Sequence, residues 1–493
     1  MNPLKKLAGQ TLTYGMSSIL VRVLNFFLVP LYSYILPPAE SGSSTELLAY
    51  IALFQVVLTF GFETGFFRFA SKHKEQAQEV FSTAVIFLGS VSLLFVLLVS
   101  IFSSPISVAL GYPVQVLIFV SLILALDTFT AIFFAYLRFL DKAFRFVTYR
   151  TIKILTELGC NLLMFLVMPY YFKVHPHSFL LHFVSPTPSY DYIIFSILIS
   201  CIVCFILFLP SIIRVKYIFS KPLFRQLFTY SFPLMIAGLP GVANDTISRL
   251  FFRYLAPDTS PWKDQLGIFG MNAKLAVFIV LFVQMFRYAA EPFFFSHAEK
   301  ENIKKTYADV MKYFVFFCVV MFLGIAFYRD IIVLLLGKSY RIGVRVLPLM
   351  LITNILLGIV FNLSMWYKLS GQTKYAVTIT LLGLIVNTVF NIIYMPRYGD
   401  MAAAWGYMLS YLAMVIYSAL LGHKYYPIPY DWRKIIFYFA SGVVIFVAGN
   451  YFSPSHALLK YSLYMLYIFI YIFIVMKMEH IDLKMIKKVI VNR

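Results

Sequence analysis

Charged residues are scarce in this chain: they make up 13% of its 493 residues, whereas a soluble globular domain carries roughly 25%. Cysteine is rarer still, and because all four cysteines lie inside apolar runs, no disulfide framework is predicted. The sequence also lacks a GxxxxGK[ST] motif and an HExxH motif, so P-loop ATP hydrolysis is not predicted. These absences argue against a soluble enzyme.

The residues that are abundant are apolar, at 61% of the chain. They form long runs such as Val114–Leu126, Ile193–Leu209 and Leu463–Met476. Because a bilayer cannot satisfy a bare backbone and a helix needs about 20 apolar residues to cross it, we predict an all-α, multi-pass membrane protein. Fourteen spans are expected at about 11–36, 45–68, 80–103, 114–138, 149–172, 191–212, 229–255, 266–290, 308–336, 345–368, 375–396, 401–422, 434–452 and 459–477.

The predicted topology explains most of the formal net charge of +20. With the N-terminus inside, 27 Lys and Arg residues fall in cytoplasmic segments and nine in outer segments. Cytoplasmic loops are rich in these residues, so both termini are expected in the cytoplasm, and nucleic-acid binding is not predicted. The chain divides into a six-helix lobe (1–212), a basic cytoplasmic linker (213–228), a second six-helix lobe (229–424), and two extra helices with a basic tail (425–493).

Some cations well inside the predicted spans have no acid one helical turn away. These include Arg22 in span 1 and Lys274 in span 8. An ionisable residue in a membrane costs about 2.5–3.5 kcal/mol on insertion scales, so it needs a partner or a function. Snorkelling of Arg22 to the headgroups and an interhelical pair for Lys274 are the structural alternatives. The functional alternative is a cleft that binds an anion.

Other buried charges could neutralise one another within a helix. The i,i+4 pairs are Lys153/Glu157, Asp245/Arg249 and Arg287/Glu291. Asp127 has no local cation and could pair with Lys153 or Lys274. Lys153 and Arg249 join Arg22 and Lys274 as candidate substrate-binding residues, and Asp127, Glu157 and Asp245 are candidates for coupling to protons or sodium.

Helix-breaking residues fall on spans 1, 2 and 7. We expect hinges or cavity-lining kinks at Pro30, Gly61, Gly65, Pro233 and Pro240. For Gly61 and Gly65, simple helix packing is the stronger alternative.

Several segments, in order, resemble the oligosaccharide-lipid flippases of the multidrug/oligosaccharidyl-lipid/polysaccharide exporter superfamily. They are LGIFGMNAKLAVFIVLFVQMFRYAAEPFFFS (266–296), YRDIIVLLLGKSYRIGVRVLPLM (328–350), LSGQTKYA (369–376) and PRYGDMAAAWGYMLSY (396–411). The N-terminal MNPLKKLAGQ and VRVLNF resemble the lipid II flippase branch. The resemblance implies two six-helix lobes that alternate access, with Arg22 and Lys274 as cavity cations and Arg68 at the cytoplasmic mouth. The implied substrate is a sugar on an undecaprenyl-type pyrophosphate.

The expected function is therefore flipping of a lipid-linked oligosaccharide across a bacterial inner membrane for surface polysaccharide assembly. No cofactor or metal is expected, and polysaccharide polymerases or glycosyltransferases are possible partners. A lipid II flippase is the alternative hypothesis, and a multidrug cation antiporter of the same superfamily is a further alternative. An enzyme would depend on the loop that carries His175, His177 and His182.

Overall fold

The computed structural model describes residues 19–20, 22–72, 74–296 and 303–479, and every regular element in these ranges is a helix. The α-helices are α1 (Arg22–Ile35), α2 (Pro38–Thr59), α3 (Phe62–Lys72), α4 (Ala77–Ile101), α5 (Ser103–Leu110), α6 (Val114–Phe139), α7 (Ala143–Leu162), α8 (Met168–Val174), α9 (Tyr190–Arg214), α10 (Lys221–Leu255), α11 (Trp262–Lys274), α12 (Val277–Ser296), α13 (Ile303–Phe327), α14 (Arg329–Ile332), α15 (Leu347–Leu363), α16 (Met365–Leu369), α17 (Lys374–Tyr398), α18 (Asp400–Tyr425), α19 (Trp432–Tyr451) and α20 (Ala457–Met478). The prediction of an all-α, multi-pass membrane protein is confirmed.

The number of membrane spans comes close to the predicted fourteen. Eleven described segments are long and apolar enough to cross a bilayer, and the bent pair α11–α12 makes a twelfth. The helix α1 is apolar but shorter, since the predicted start of span 1 at residue 11 lies outside the described residues. The helix α10 is 35 residues long, and charged and polar residues interrupt its apolar sequence. The exact count of fourteen stays a prediction.

Two helical bundles make up most of the molecule. In the N-terminal half, α6 packs against α4 and α9, and α7 packs against α9. In the C-terminal half, α17 packs against α10 and α18, while α15 packs against α18 and α13. The two halves meet where α2 packs along α10 and α11. The helices of this contact border the space between the halves.

The last two helices, α19 and α20, pack against each other and against α13. Glu479, just after α20, accepts hydrogen bonds from Lys312 (2.7 Å), Lys434 (2.9 Å) and the Tyr438 hydroxyl. Burial alone raises the pKa of the Glu479 carboxyl, but these hydrogen bonds lower that pKa to about 2. The ionised Glu479 carboxylate therefore links the end of α20 to α13 and α19.

The halves come closest at the end of the molecule that holds the α1–α2 turn. A Cβ atom on Gly42 would lie 1.9 Å from the Lys263 carbonyl oxygen, and one on Gly267 would lie 2.0 Å from the Pro38 carbonyl oxygen. Only glycine allows the backbones of α2 and α11 to approach this closely. We call this contact between α2, α10 and α11 the seam.

A buried ion pair lies in the seam. Glu46 of α2 is fully buried, and Arg253 of α10 binds its carboxylate with two nitrogens, one of them at 2.7 Å. The Tyr112 hydroxyl also donates to Glu46, and Arg253 donates to the Leu110 carbonyl at 2.9 Å. Because Glu46 and Arg253 belong to different halves, the pair connects the two halves across the seam.

Candidate functional site

A chamber lies between the two halves. It consists of two adjoining pockets, both lined by Arg22, Leu48, Lys274 and Val277. The N-terminal half contributes α1, α2, α7 and α9 to its walls, and the C-terminal half contributes α10, α11, α12, α15 and α18. The chamber therefore lies where a movement of one half relative to the other could change the side from which the chamber is open.

Lys274 reaches the chamber because span 8 is broken at this residue. The helix α11 ends at Lys274, α12 begins at Val277, and the two axes differ by 47°. The Ala276 carbonyl at the break accepts a hydrogen bond from the Asn354 side chain at 3.0 Å. A kink inside a membrane protein is tolerated where such a partner satisfies the backbone.

The surroundings of Lys274 contain few compensating groups. Its Nζ lies 4.0 Å from the Met271 sulfur and 5.9 Å from the centre of the Tyr32 ring. Among the residues that the structure describes, no acid forms a salt bridge with Lys274. The side chain is half-buried, so its ammonium group is a positive charge available to a ligand in the chamber.

Arg22 lies on α1 and lines both pockets. Its side chain is exposed, and no salt bridge to it is found within the described part of the chain. The structure thus brings together two cations that the sequence left without local partners. Apolar residues of the same wall, Phe26, Val29 and Ile197, stand beside them.

The larger pocket also holds Asp245 and Arg249 of α10. Asp245 accepts a hydrogen bond from the Tyr411 hydroxyl at 2.7 Å, and the Tyr407 hydroxyl donates to the Asp245 backbone carbonyl. Tyrosine hydroxyls from α18 therefore bind this aspartate. No ion pair involving Arg249 is found in the described ranges.

Glu157 lines the smaller pocket, on the wall that α7 provides. It faces the same space as Arg22 and Lys274. Within the described part of the chain, the ionisable side chains that line the chamber are three cations (Arg22, Arg249 and Lys274) and two carboxylates (Glu157 and Asp245), apart from the tyrosines. With all five ionised, the chamber has an excess of one positive charge.

Lys153 and Asp127 pair with each other between α7 and α6. The Cys201 sulfur lies 3.3 Å from the Asp127 carboxylate. Neither Lys153 nor Asp127 lines the two pockets of the chamber. The interhelical partner suggested for Asp127 is therefore present, while the proposed roles of these two residues in binding and coupling stay predictions.

Arg68 also lies outside the chamber. Its guanidinium is stacked over the Tyr230 ring at 4.2 Å, and both residues line a separate groove. This groove lies at the end of α3 and the start of α10.

The predicted hinge residues occupy different local structures. Gly61 has φ of +67° in the break between α2 and α3, and a Cβ on Gly65 would lie 2.1 Å from the Ser231 hydroxyl. Pro233 and Pro240 lie within the uninterrupted α10, and Pro30 lies within α1. Their roles as hinges stay predictions.

Sequence reasoning missed the polar residues that complete the chamber. These include Asn25, Tyr32, Asn354, Tyr407 and Tyr411. An amide inside an apolar span, such as Asn354, was the available signal. The tyrosines gave none, because the chain contains 35 of them.

Known proteins share the fold and, in part, the sequence. A family described as "Polysaccharide biosynthesis protein" matches residues 7–298. A lipid II flippase MurJ in an inward closed conformation is 15% identical, with a TM-score of 0.73, and the match covers 94% of this chain and 98% of that one. An inward-facing multidrug resistance MATE transporter is 13% identical, with a TM-score of 0.61 and coverages of 81% and 94%.

A transporter from Pyrococcus furiosus, described as having a binding pocket of reverse polarity, is 10% identical, with a TM-score of 0.59 and coverages of 85% and 98%. No curated protein matches the chain. The structural matches establish the fold.

Proposed function

Because this chain belongs to the polysaccharide biosynthesis protein family, we propose that it flips an undecaprenyl-pyrophosphate-linked oligosaccharide from the cytoplasmic to the outer leaflet by alternating access. The observation that carries the proposal is the chamber that contains Arg22 and Lys274 between the two halves. Neither cation has an ion-pair partner among the described residues.

The chamber addresses the physical obstacle to flipping. A polar, anionic head cannot cross hydrocarbon without a large desolvation cost. A chamber with an excess of positive charge lets the head cross while it stays bound. Arg22 can bind pyrophosphate oxygens with two parallel hydrogen bonds, while Lys274 adds a more compact charge.

The orientation follows from the charge of the loops. With both termini in the cytoplasm of a bacterial inner membrane, the seam faces outward, and its ion pair closes the chamber on that side. Moving a head of charge −2 outward then gains at most ~4.6 kcal/mol per 100 mV of inside-negative potential, at ~2.3 kcal/mol per charge. The net gain depends on what accompanies the return step.

Glu157 and Asp245 are the coupling candidates that lie in the chamber itself. Each can neutralise chamber cations after the substrate has left. Binding a proton or sodium ion at either carboxylate would change this balance, which gives a physical route to coupling.

Lipid II is the second candidate substrate, because it carries the same pyrophosphate on a polyprenyl chain. The chamber cations bind this shared group and do not select the sugar. A multidrug cation antiporter fits less well, since the excess charge of the chamber repels an organic cation. A catalytic role would have to use the loop of His175, His177 and His182, none of which lines the chamber.

The test is reconstitution of purified protein in vesicles with a fluorescent polyprenyl-pyrophosphate oligosaccharide, scored by the labelled head that becomes accessible on the opposite side. Arg22→Ala and Lys274→Ala should each abolish most flipping, while Arg22→Lys should retain part of it. The matched controls are Arg397→Ala and Lys338→Ala, two exposed cations outside the chamber, which should flip normally. Normal flipping by Arg22→Ala and Lys274→Ala would contradict the proposal.

A further inference from the structure

The groove that holds Arg68 is a second basic site, distinct from the chamber. Arg68 and Phe69 of α3 form one wall, and the other wall comes from α10 with Arg225, Gln226, Thr229 and Tyr230. Among the residues that the structure describes, no carboxylate lines the groove. In the described ranges, neither Arg68 nor Arg225 forms a salt bridge, so two guanidinium groups share this space without an opposite charge.

The Tyr230 ring holds one of these cations, Arg68, in a defined position. The Arg68 guanidinium lies over this ring at 4.2 Å, and Phe69 packs edge-on against the same ring at 5.9 Å. A cation–π contact uses the face of the guanidinium and leaves its N–H edges free to donate. Arg68 is therefore held in place with its hydrogen-bond donors still available.

The two guanidinium groups belong to different halves of the molecule. Like charges facing each other across a contact repel, whereas an anion between them turns repulsion into attraction. The contact is close at this point, because a Cβ on Gly65, one turn before Arg68, would lie 2.1 Å from Ser231, next to Tyr230. An anion in the groove would thus strengthen the contact between α3 and α10.

The segment that leads into α10 has the residue types of a membrane interface, next to the groove. The backbone nitrogens of Ile218 and Ser220 are bound to the side chains of Ser82 (2.7 Å) and Thr83 (3.2 Å) on α4. Held in this way, the segment exposes three large side chains, Tyr217, Ile218 and Phe219, each about half accessible. Apolar and aromatic residues beside exposed cations are typical of a membrane interface.

From these observations we infer that the groove binds the phosphate of an anionic phospholipid headgroup. The phosphate bridges Arg68 and Arg225, with Gln226 and Thr229 as further hydrogen-bond donors. The bound lipid holds the two halves together at this end of the molecule. The inference does not depend on the transported substrate.

The test measures the thermal unfolding midpoint of the full-length protein in neutral mixed micelles as phosphatidylglycerol, phosphatidylcholine or inorganic phosphate is added. Phosphatidylglycerol should raise the midpoint of the wild type, and the other two should not. In Arg68→Gln/Arg225→Gln, the phosphatidylglycerol concentration for half the effect should rise about tenfold or more.

The control variant is Arg214→Gln/Lys216→Gln, which removes the same charge from exposed residues that do not line the groove. It should respond as the wild type does. An equal response of the groove variant and the control would overturn the site, and an equal response to inorganic phosphate would overturn its assignment to a lipid. Should the double variant fold poorly, the count of phosphatidylglycerol molecules co-purifying with Arg68→Gln alone gives the same decision: an unchanged count overturns the site.

Discussion

Removing Arg253 should destabilise the protein more than removing any exposed cation. The change Arg253→Met leaves the fully buried Glu46 carboxylate without its bidentate partner. Breaking a buried pair from one side costs about 3–5 kcal/mol, because an uncompensated charge stays buried. The Tyr112 hydroxyl remains as a donor to Glu46, so we expect the lower part of this range, about 3 kcal/mol.

A double variant separates two free-energy terms: the penalty for leaving the Glu46 carboxylate buried without a partner, and the net contribution of the ion pair to stability. Glu46→Met/Arg253→Met removes both charges, and replacing a whole buried pair by apolar groups is often neutral or stabilising. It should therefore recover most of the loss, because the Tyr112 hydroxyl keeps the Ser43 carbonyl as an acceptor at 3.5 Å. Arg253→Lys should fall between, since lysine keeps the charge but not the bidentate geometry.

The assay is equilibrium unfolding in mixed micelles with increasing dodecyl sulfate, followed by tryptophan fluorescence. Arg329→Met is the matched control, because this arginine is partly exposed and bonds to Asn450 without a buried carboxylate. A loss below about 1 kcal/mol for Arg253→Met, or a double variant as unstable as the single one, would refute the reasoning about the seam.

Two further predictions concern packing and pH. Gly42→Ala would place a Cβ 1.9 Å from the Lys263 carbonyl, so we expect it to cost about 1–3 kcal/mol of unfolding free energy. Gly238→Ala is its control, since a Cβ there meets nothing within 4 Å, and equal stabilities would contradict the prediction. Glu479 has a folded-state pKa of about 2 against an ordinary value of 4.5, so its stabilising effect is complete above about pH 4.5 and is lost as the pH falls towards 2. Thermal unfolding between pH 6 and pH 3 should show a larger loss for the wild type than for Glu479→Gln, and parallel curves would count against this linkage.

The features readable from the sequence were those with strong local signals. Long apolar runs predicted the helices, because a bilayer permits few other backbone structures. Arg22 and Lys274 could be singled out because no acid stands one turn away from either residue. Their position in one chamber agrees with the expectation that unpaired intramembrane cations face a shared cavity.

Contacts between distant segments could not be read in the same way. Lys153 has Glu157 four residues away, yet its salt-bridge partner is Asp127 on the neighbouring helix. The break after Lys274 contains no proline or glycine that would predict it from the sequence. The side chain of Asn354, from another helix, donates a hydrogen bond to the Ala276 carbonyl that the break leaves without a helical partner. Glu46 looked like an ordinary polar residue near a helix start, because its partner Arg253 is 207 positions away.

The most direct test of the account is the sign of the charge that the chamber binds. Purified protein in nanodiscs should be titrated with a polyprenyl pyrophosphate and, separately, with the lipophilic cation tetraphenylphosphonium. We expect saturable binding of the pyrophosphate that is lost in Arg22→Ala/Lys274→Ala, with weak or no binding of the cation. Tighter binding of the cation, or pyrophosphate binding that is unchanged in the double variant, would contradict it.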